Sequence, residues 1–558
     1  NNFIYGLLAV FTLTLTSCDK DFLEKTDPGS GSVDGFFQGE DEFVLGVNGV
    51  YNSLYAAGYF TNFWGGNYFH MHMEFETLSD NGVGQDCGWR GYANFACGIM
   101  TPASGGITWY KWNYGLGAIS KINQLLALIP NVNFSGGMAP KWEAELKYLR
   151  GFLYADMADL YGGMPLITEP IDPTEADAIT RSTQAETFAQ AISDLDFAIA
   201  NLDTKPNNGD YGRPTKQAAL MAKGLAELNQ KKFSESAATL GQLVALEGPD
   251  VGLVDNDVWE GLNRGTQETS KEIIWSMKAG PGNEGTGDYI PYGVAGDGDY
   301  NGWSGIKFTQ DGVDAFEMQA TGLPITDPAS GYDADNPLEG RDPRLRKTFY
   351  FEGDEYWGGT IGDVQFGAVC CNGNLKAQSS VGIAPVFPRK TTTYTQEQKA
   401  QMATIEYGSP IDLNLFRYAD ALLLYAEALN EGGQTAQALT PLNQVRTRAT
   451  MPAIAAGLSQ AEMRAKILHE RRVELYLEGK RYFDLRRQGM LMETINNNEG
   501  WDLHGGANYK SHYDLWPIPS ETTDNNPNIS QNLNNFIYGL LAVFTLTLTS
   551  CDKDFLEK

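Results

Sequence analysis

This 558-residue chain is short of positive charge: 41 Lys and Arg face 70 Asp and Glu, a formal net charge of −29. Nucleic-acid binding leaves a basic footprint, so this acidic excess argues against DNA or RNA as a partner. It also disfavours adsorption to anionic lipid headgroups. Histidine is rarer still, with five in the chain. Two of them form His70-x-His72, but no third ligand accompanies them and a zinc site is not expected. Long apolar runs are missing too. Phe3–Leu15 and its repeat near the C-terminus are too short to cross a bilayer as a helix. What is present is an ordinary hydrophobic fraction of 42%, enough to bury a core.

Phe3–Leu15 has instead the length of a signal-peptide core. It runs into Leu15-Thr16-Ser17-Cys18, which resembles a lipobox. Residues 1–18 are therefore expected to be a lipoprotein signal ending in a lipidated Cys18, with Asp19-Lys20-Asp21 as an acidic export signal. The basic residues expected ahead of the core are missing, so the natural sequence is expected to begin further upstream. Acyl chains buried in a leaflet contribute roughly 0.8 kcal/mol per methylene, so membrane attachment would rest on the lipid. Residues 1–25 recur verbatim as Asn534 to Lys558. A second signal at the C-terminus has no export logic, and residues 534–558 are read as an artefact outside the fold. The binding domain expected from this division is residues 19–533.

Periodicity within that span is mostly helical. Asp41–Tyr55, Ile107–Pro130, Trp142–Tyr161, Glu186–Leu202, Thr215–Asn229 and Ser234–Leu246 each carry apolar residues at i, i+3, i+4 and i+7 spacing. Trp109 and Trp112 are assigned to the core. Residues 248–408 change character to Gly, Asp, Pro and aromatic residues, with short strands predicted at Ile273–Met277 and Lys347–Phe351. Helices are expected to return from Asp412. The pattern predicts a mainly α fold, a helical scaffold over about 41–247 and 412–490 with a long irregular, loop-rich insertion at about 248–408.

Arg417–Arg487 carries the strongest local signature. Leu422, Tyr425, Ala426, Leu429, Ala438 and Leu442 fall at tetratricopeptide-like offsets, separated by the helix-breaking Gly432-Gly433. Glu470-Arg471-Arg472-Val473-Glu474-Leu475-Tyr476 through Arg487 follows. Further along the chain stand Lys147-Tyr148-Leu149-Arg150-Gly151, Gly162-Gly163-Met164-Pro165-Leu166, Gly212-Arg213-Pro214-Thr215-Lys216, Trp516-Pro517-Ile518-Pro519 and Asn526-Pro527-Asn528-Ile529. Together and in this order they resemble the SusD/RagB family of nutrient-binding outer-membrane lipoproteins. The resemblance implies a tetratricopeptide-like helical-repeat scaffold, anchored at the outer face of the outer membrane. It also implies a non-catalytic protein that binds glycans and passes them to a SusC-like TonB-dependent transporter. RagB-type relatives bind peptides, so oligopeptide capture is the alternative.

In such proteins the glycan site is built from an early loop and the middle insertion. Aromatic rings stack on the C–H faces of sugars while polar side chains take the hydroxyls. The resemblance therefore points to Trp64, Asp80, Asn81, Trp89 and Tyr92 in the first region, and to Tyr300, Asn301 and Trp303 in the second. Packing between loop and scaffold is the competing role for each ring. Of the six cysteines, Cys18 and Cys551 belong to the two signal copies. A Cys87–Cys97 bridge is expected across the first loop, against free thiols or a vicinal Cys370–Cys371 pair.

Glu470, Glu474 and Glu478 share one helical face and invite comparison with a glycosidase. Glycosidase carboxylates face each other across a sugar from different elements, whereas these alternate with Arg471, Arg472 and Arg481. They are read as an ion-pair network, and a glycoside hydrolase is the weaker alternative. Asp297–Gly302 opens like an EF-hand loop, but Phe308 stands where the bidentate Glu is required. No cofactor is expected, with calcium in an Asx-rich turn the lesser alternative.

Overall fold

A computed structural model describes residues 36–54, 75–84, 87, 93–204, 210–278, 306–356, 359–360, 382–391 and 411–532. Helices dominate it. Before the insertion come α1 Glu40–Leu54, α2 Ile107–Leu128, α3 Ala139–Tyr161, α4 Gln184–Asn201, α5 Lys216–Asn229 and α6 Phe233–Val244. After it come α7 Tyr418–Glu431, α8 Thr435–Arg448, α9 Gln460–Glu474 and α10 Arg481–Arg487.

Each helix from α1 to α6 packs on the next, and α6 packs directly on α7. The long insertion thus leaves and rejoins an unbroken helical array, the tetratricopeptide-like scaffold expected. Local chemistry starts these helices where the sequence demands. Thr183 and Glu186 form a reciprocal capping box at α4, and Ser459 and Glu462 do the same at α9. Small residues let neighbours cross closely. A Cβ on Gly151 of α3 would lie 2.9 Å from the Ala191 carbonyl oxygen on α4, and one on Gly224 of α5 would lie 2.5 Å from Leu240 Cγ on α6. Leu422, Ala426 and Leu429 of α7 meet Ala438, Leu442 and Val445 of α8 in one buried seam. Arg150 pins three helices together: its guanidinium donates to Asp194 on α4 at 2.8 Å and to Asn123 Oδ1 on α2 at 2.7 Å.

Strands are few and short among the described residues. They include β1 Gly82–Gly84, β2 Ile273–Met277, β3 Ile306–Phe308 and β4 Leu413–Arg417. β1 pairs antiparallel with β3, and β2 with β4. The predicted strand at Ile273–Met277 is found as such, whereas of Lys347–Phe351 only Phe349–Tyr350 is a strand, following a short helix that ends at Thr348. Helices do not return at Asp412: Leu413–Arg417 is drawn into a sheet by β2 before α7 begins. Trp112 is buried as expected, whereas Trp109 is only half covered. It lies in the first turn of α2, where its indole N–H donates to Glu521 at 2.7 Å and its ring meets Tyr110 and Tyr114 edge-on. No described helix is long and apolar enough to cross a membrane.

Candidate ligand-binding site

The charged segment from Glu470 to Arg487 lies in the interior, and its partners come from far along the chain. Glu470 accepts from Arg344 at 2.6 Å and from Arg446 at 2.8 Å. Glu474 accepts from Trp259 at 2.9 Å and from Arg344 at 3.0 Å, with Arg417 and Arg448 beside it. Glu478 is held by Arg417 at 2.6 Å and by Lys390 at 2.5 Å. Burial opposes ionisation of these carboxyls, but the guanidiniums around Glu470 and Glu474 overcome it and hold both below the ordinary range. Glu478 is likewise lowered, to about 2. Each of these carboxylates is committed to cations; Glu478 also lines a cavity, but there Arg417 and Lys390 hold it. The ion-pair role is the one found, although the cations are supplied by remote segments rather than by neighbours on the helix.

The same segment fixes the root of the first candidate loop. Arg481 grips the Asp80 carboxylate with two bonds, at 2.8 and 2.7 Å. Arg472 donates to Asn81 Oδ1 at 2.8 Å and to the Asp80 carbonyl at 3.1 Å. Tyr476 donates its hydroxyl to the Asn81 carbonyl at 2.6 Å. Below them Glu76 is fully buried and accepts from Asn81 Nδ2 at 2.7 Å and from the Gly479 N–H at 3.0 Å. Burial pushes the Glu76 carboxyl up to about 7. Asp80 moves the other way: burial opposes ionisation, but Arg472 and Arg481 outweigh it and hold the carboxyl well below its usual range.

The second candidate region joins at this root. Thr309 donates its N–H to the Asn81 carbonyl at 3.0 Å and its hydroxyl to the Asp80 carbonyl at 2.5 Å. From there β1 and β3 run side by side, with Gly82 opposite Phe308 and Gly84 opposite Ile306. Trp89 follows Gly84 and Trp303 precedes Ile306, each within a few residues. The segments that carry Trp89 and Trp303 therefore join the described structure at the same end of one ladder, whereas the segment of Trp64 lies between Leu54 and Phe75. Cys87 and Cys97 are bridged, with Cα atoms 5.8 Å apart, as expected for the first loop. His504 Nε2 lies 3.1 Å from the Gly84 carbonyl oxygen, and the buried Trp501 ring packs under Gly84.

Of the predicted ligand residues, Asp80 and Asn81 lie within the described structure. Both are tied into this root, and Asn81 is fully buried. Their carboxylate and amide are committed to Arg481, Arg472 and Glu76, so these groups brace the described chain instead of being free to take a ligand's hydroxyls. Trp64, Trp89, Tyr92, Tyr300, Asn301, Trp303 and the lipidation candidate Cys18 lie outside the described residues, as do His70, His72, Asp297–Gly302, Cys370 and Cys371. Among the described residues no cluster of His, Cys, Asp and Glu could hold a metal ion. Glu76, Thr309, Arg472, Tyr476 and Arg481 were not singled out by sequence as supports of the site. Their partners are too distant along the chain for spacing to reveal them.

Comparison with known families gives a profile match to the SusD family over residues 271–535. A second profile, described as starch-binding associating with outer membrane, matches residues 100–223. The chain belongs to the SusD family. It is 24% identical to SusD-like protein P2 of Formosa agariphila, across 94% of this chain and 97% of that protein. It is 25% identical to the starch-binding protein SusD of Bacteroides thetaiotaomicron, across 70% of this chain and 72% of that one. Its fold matches the crystal structure of a SusD-like carbohydrate binding protein from Bacteroides fragilis with a TM-score of 0.73 at 24% identity, over 89% of this chain and 100% of that one. Within this SusD-family fold, the Arg-Glu block is the element that locks the insertion and the early loop to the helical scaffold.

Proposed function

We propose that this protein binds glycans at the outer face of the outer membrane and delivers them, uncleaved, to a SusC-like TonB-dependent transporter. The observation that best supports this is the shared root: two aromatic-rich segments spring from one end of the β1–β3 ladder, on a scaffold of the SusD family. A pair of loops held at a common base can present rings to both faces of a sugar chain with little ordering cost. Family membership and the starch-binding and carbohydrate-binding descriptions of its relatives point the same way. The commitment of Glu470, Glu474 and Glu478 to arginine and lysine partners favours binding over hydrolysis. Lipidation of Cys18 would tether the N-terminus and leave the body free to hinge over the transporter. A glycan array run beside a peptide library tests the ligand class. Binding of one glycan class without release of reducing ends is expected; capture of peptides alone, or release of reducing ends, would overturn the proposal. Copurification from native outer membranes is expected to bring a TonB-dependent barrel with it, and repeated absence of such a barrel would overturn the delivery step.

A further inference from the structure

A cleft opens on the inner row of the helical array. Helices α3, α5 and α7 are each the first of a pair, with α4, α6 and α8 as their partners, and α3 touches α5 as α5 touches α7. All three first helices contribute to the walls of the cleft, whereas α4, α6 and α8 contribute nothing. Strand β4 and the Glu478–Arg487 stretch supply most of the remaining wall. Inner faces of helical repeats are the surfaces such arrays use for binding. The cleft encloses about 100 Å³. Apolar cavities of roughly 150 Å³ take up benzene, so this one has room for a single ring that reaches towards the mouth.

Small residues make that room: Ala155 of α3 and Ala222 and Ala226 of α5 line the cleft, while Phe75, Phe152, Phe416 and Phe483 give it aromatic walls. Phe152 meets Phe416 edge-on at 5.9 Å, and Phe75 packs on Phe483 at 4.7 Å. The rings are therefore set before a ligand arrives, which lowers the ordering cost of binding. Ala155, Leu225, Asn229, Lys480 and Phe483 are half-buried and form the mouth.

The charges that line the cleft are matched within the protein. Lys111 pairs with Asp156 at 2.5 Å, Asp159 with Arg486 at 2.7 Å, and Arg471 with Asp420 at 2.8 Å and Asp484 at 2.9 Å. Arg487 pairs with Asp484 at 2.7 Å, Glu478 with Arg417 at 2.6 Å and Lys480 with Asp420 at 3.6 Å. An ionic ligand would find no lone counter-charge here, and its own charge would lose water among the rings. The Asn229 side chain offers a polar edge at the mouth for one hydroxyl.

We propose that the cleft between α3, α5 and β4 is a second ligand site, which takes one uncharged aromatic ring bearing a hydroxyl, a phenolic group. The ring lies among the phenylalanines and its hydroxyl meets Asn229, with the remainder of a larger molecule outside the mouth. Such a site stands whether or not the loops take a glycan.

The full chain is titrated with phenol, and with benzoate as a charged one-ring analogue, by saturation-transfer NMR. Phenol is expected to bind, and benzoate to bind roughly tenfold more weakly or not at all. Ala155→Leu fills the mouth and should abolish phenol binding. Asn229→Ala, at the last residue of α5, removes the polar edge and should weaken phenol by roughly fivefold. Circular dichroism reports whether the scaffold is intact; if Ala155→Leu does not fold, Asn229→Ala decides. Failure of the wild type to bind phenol, equal binding of benzoate, or unchanged phenol affinity in either folded variant would overturn the assignment.

Discussion

Replacing Glu76 by glutamine should abolish a pH dependence of stability that this single carboxyl creates. Glu76 is fully buried under the Asp80–Asn81 loop, and burial raises its pKa from 4.5 to about 7. Asp80 pushes in the same direction, while the bonds from Asn81 and Gly479 and the charge of Lys390 oppose it without winning. Between those two values the native protein keeps a proton that the unfolded chain has released. The stabilisation is therefore complete below the unfolded value and is lost as pH rises through about 7. At 1.36 kcal/mol per pKa unit, the rise from 4.5 to about 7 corresponds to about 3 kcal/mol. Glutamine does not titrate, so the variant should lack this loss. It carries a fixed cost: its amide N–H₂ would meet Asn81 Nδ2, and Asn81 cannot turn over because Arg472 holds its Oδ1 at 2.8 Å. Losing that hydrogen bond costs about 1 kcal/mol at every pH. Glu76→Gln should accordingly be less stable than wild type at pH 4, nearly equal to it at pH 5 and more stable at pH 8. Urea unfolding followed by tryptophan fluorescence at half-unit steps measures the difference, in which the other titrating groups cancel. Curves that stay parallel across this window would refute the reasoning.

Arg481→Ala removes the bidentate partner of Asp80 and should lower stability by about 3 kcal/mol, read as a reduced thermal midpoint. An unchanged midpoint would mean that Arg472 suffices alone. Glu474→Ala leaves Arg344, Arg417 and Arg448 without a shared counter-charge and should cost about 3–5 kcal/mol in chemical denaturation. Trp89→Ala and Trp303→Ala should each weaken glycan binding by roughly fivefold with the helical circular dichroism intact; isothermal titration showing no change in either would make these rings packing residues. Reducing the Cys87–Cys97 bridge, whose cysteines are 10 positions apart, should loosen the first loop by up to about 3 kcal/mol and weaken glycan binding while the helical signal persists.

Helices α1 to α6 were legible because their periodicity and caps are local, and their observed ends fall close to the predicted ones. Ile273–Met277 was legible for the same reason, as a β-branched and aromatic run between turn residues. Leu413–Arg417 was not. It runs straight into the helix of Tyr418–Glu431, and only pairing with β2, across the whole insertion, makes it a strand. Trp109 has helical spacing to the core face, yet at the first turn of α2 the covering partner is Glu521 in the C-terminal segment.

The chain's own pattern thus determined the mainly α class and the places of the scaffold helices. These depend on residues within a few turns of one another, where spacing carries the physics. Tertiary structure decided which cation meets which carboxylate, that Arg472 and Arg481 bind Asn81 and Asp80, and that Gly84 pairs with Ile306. Such contacts join residues hundreds of positions apart. A buried charge must find a partner, but nothing in its own neighbourhood says which one.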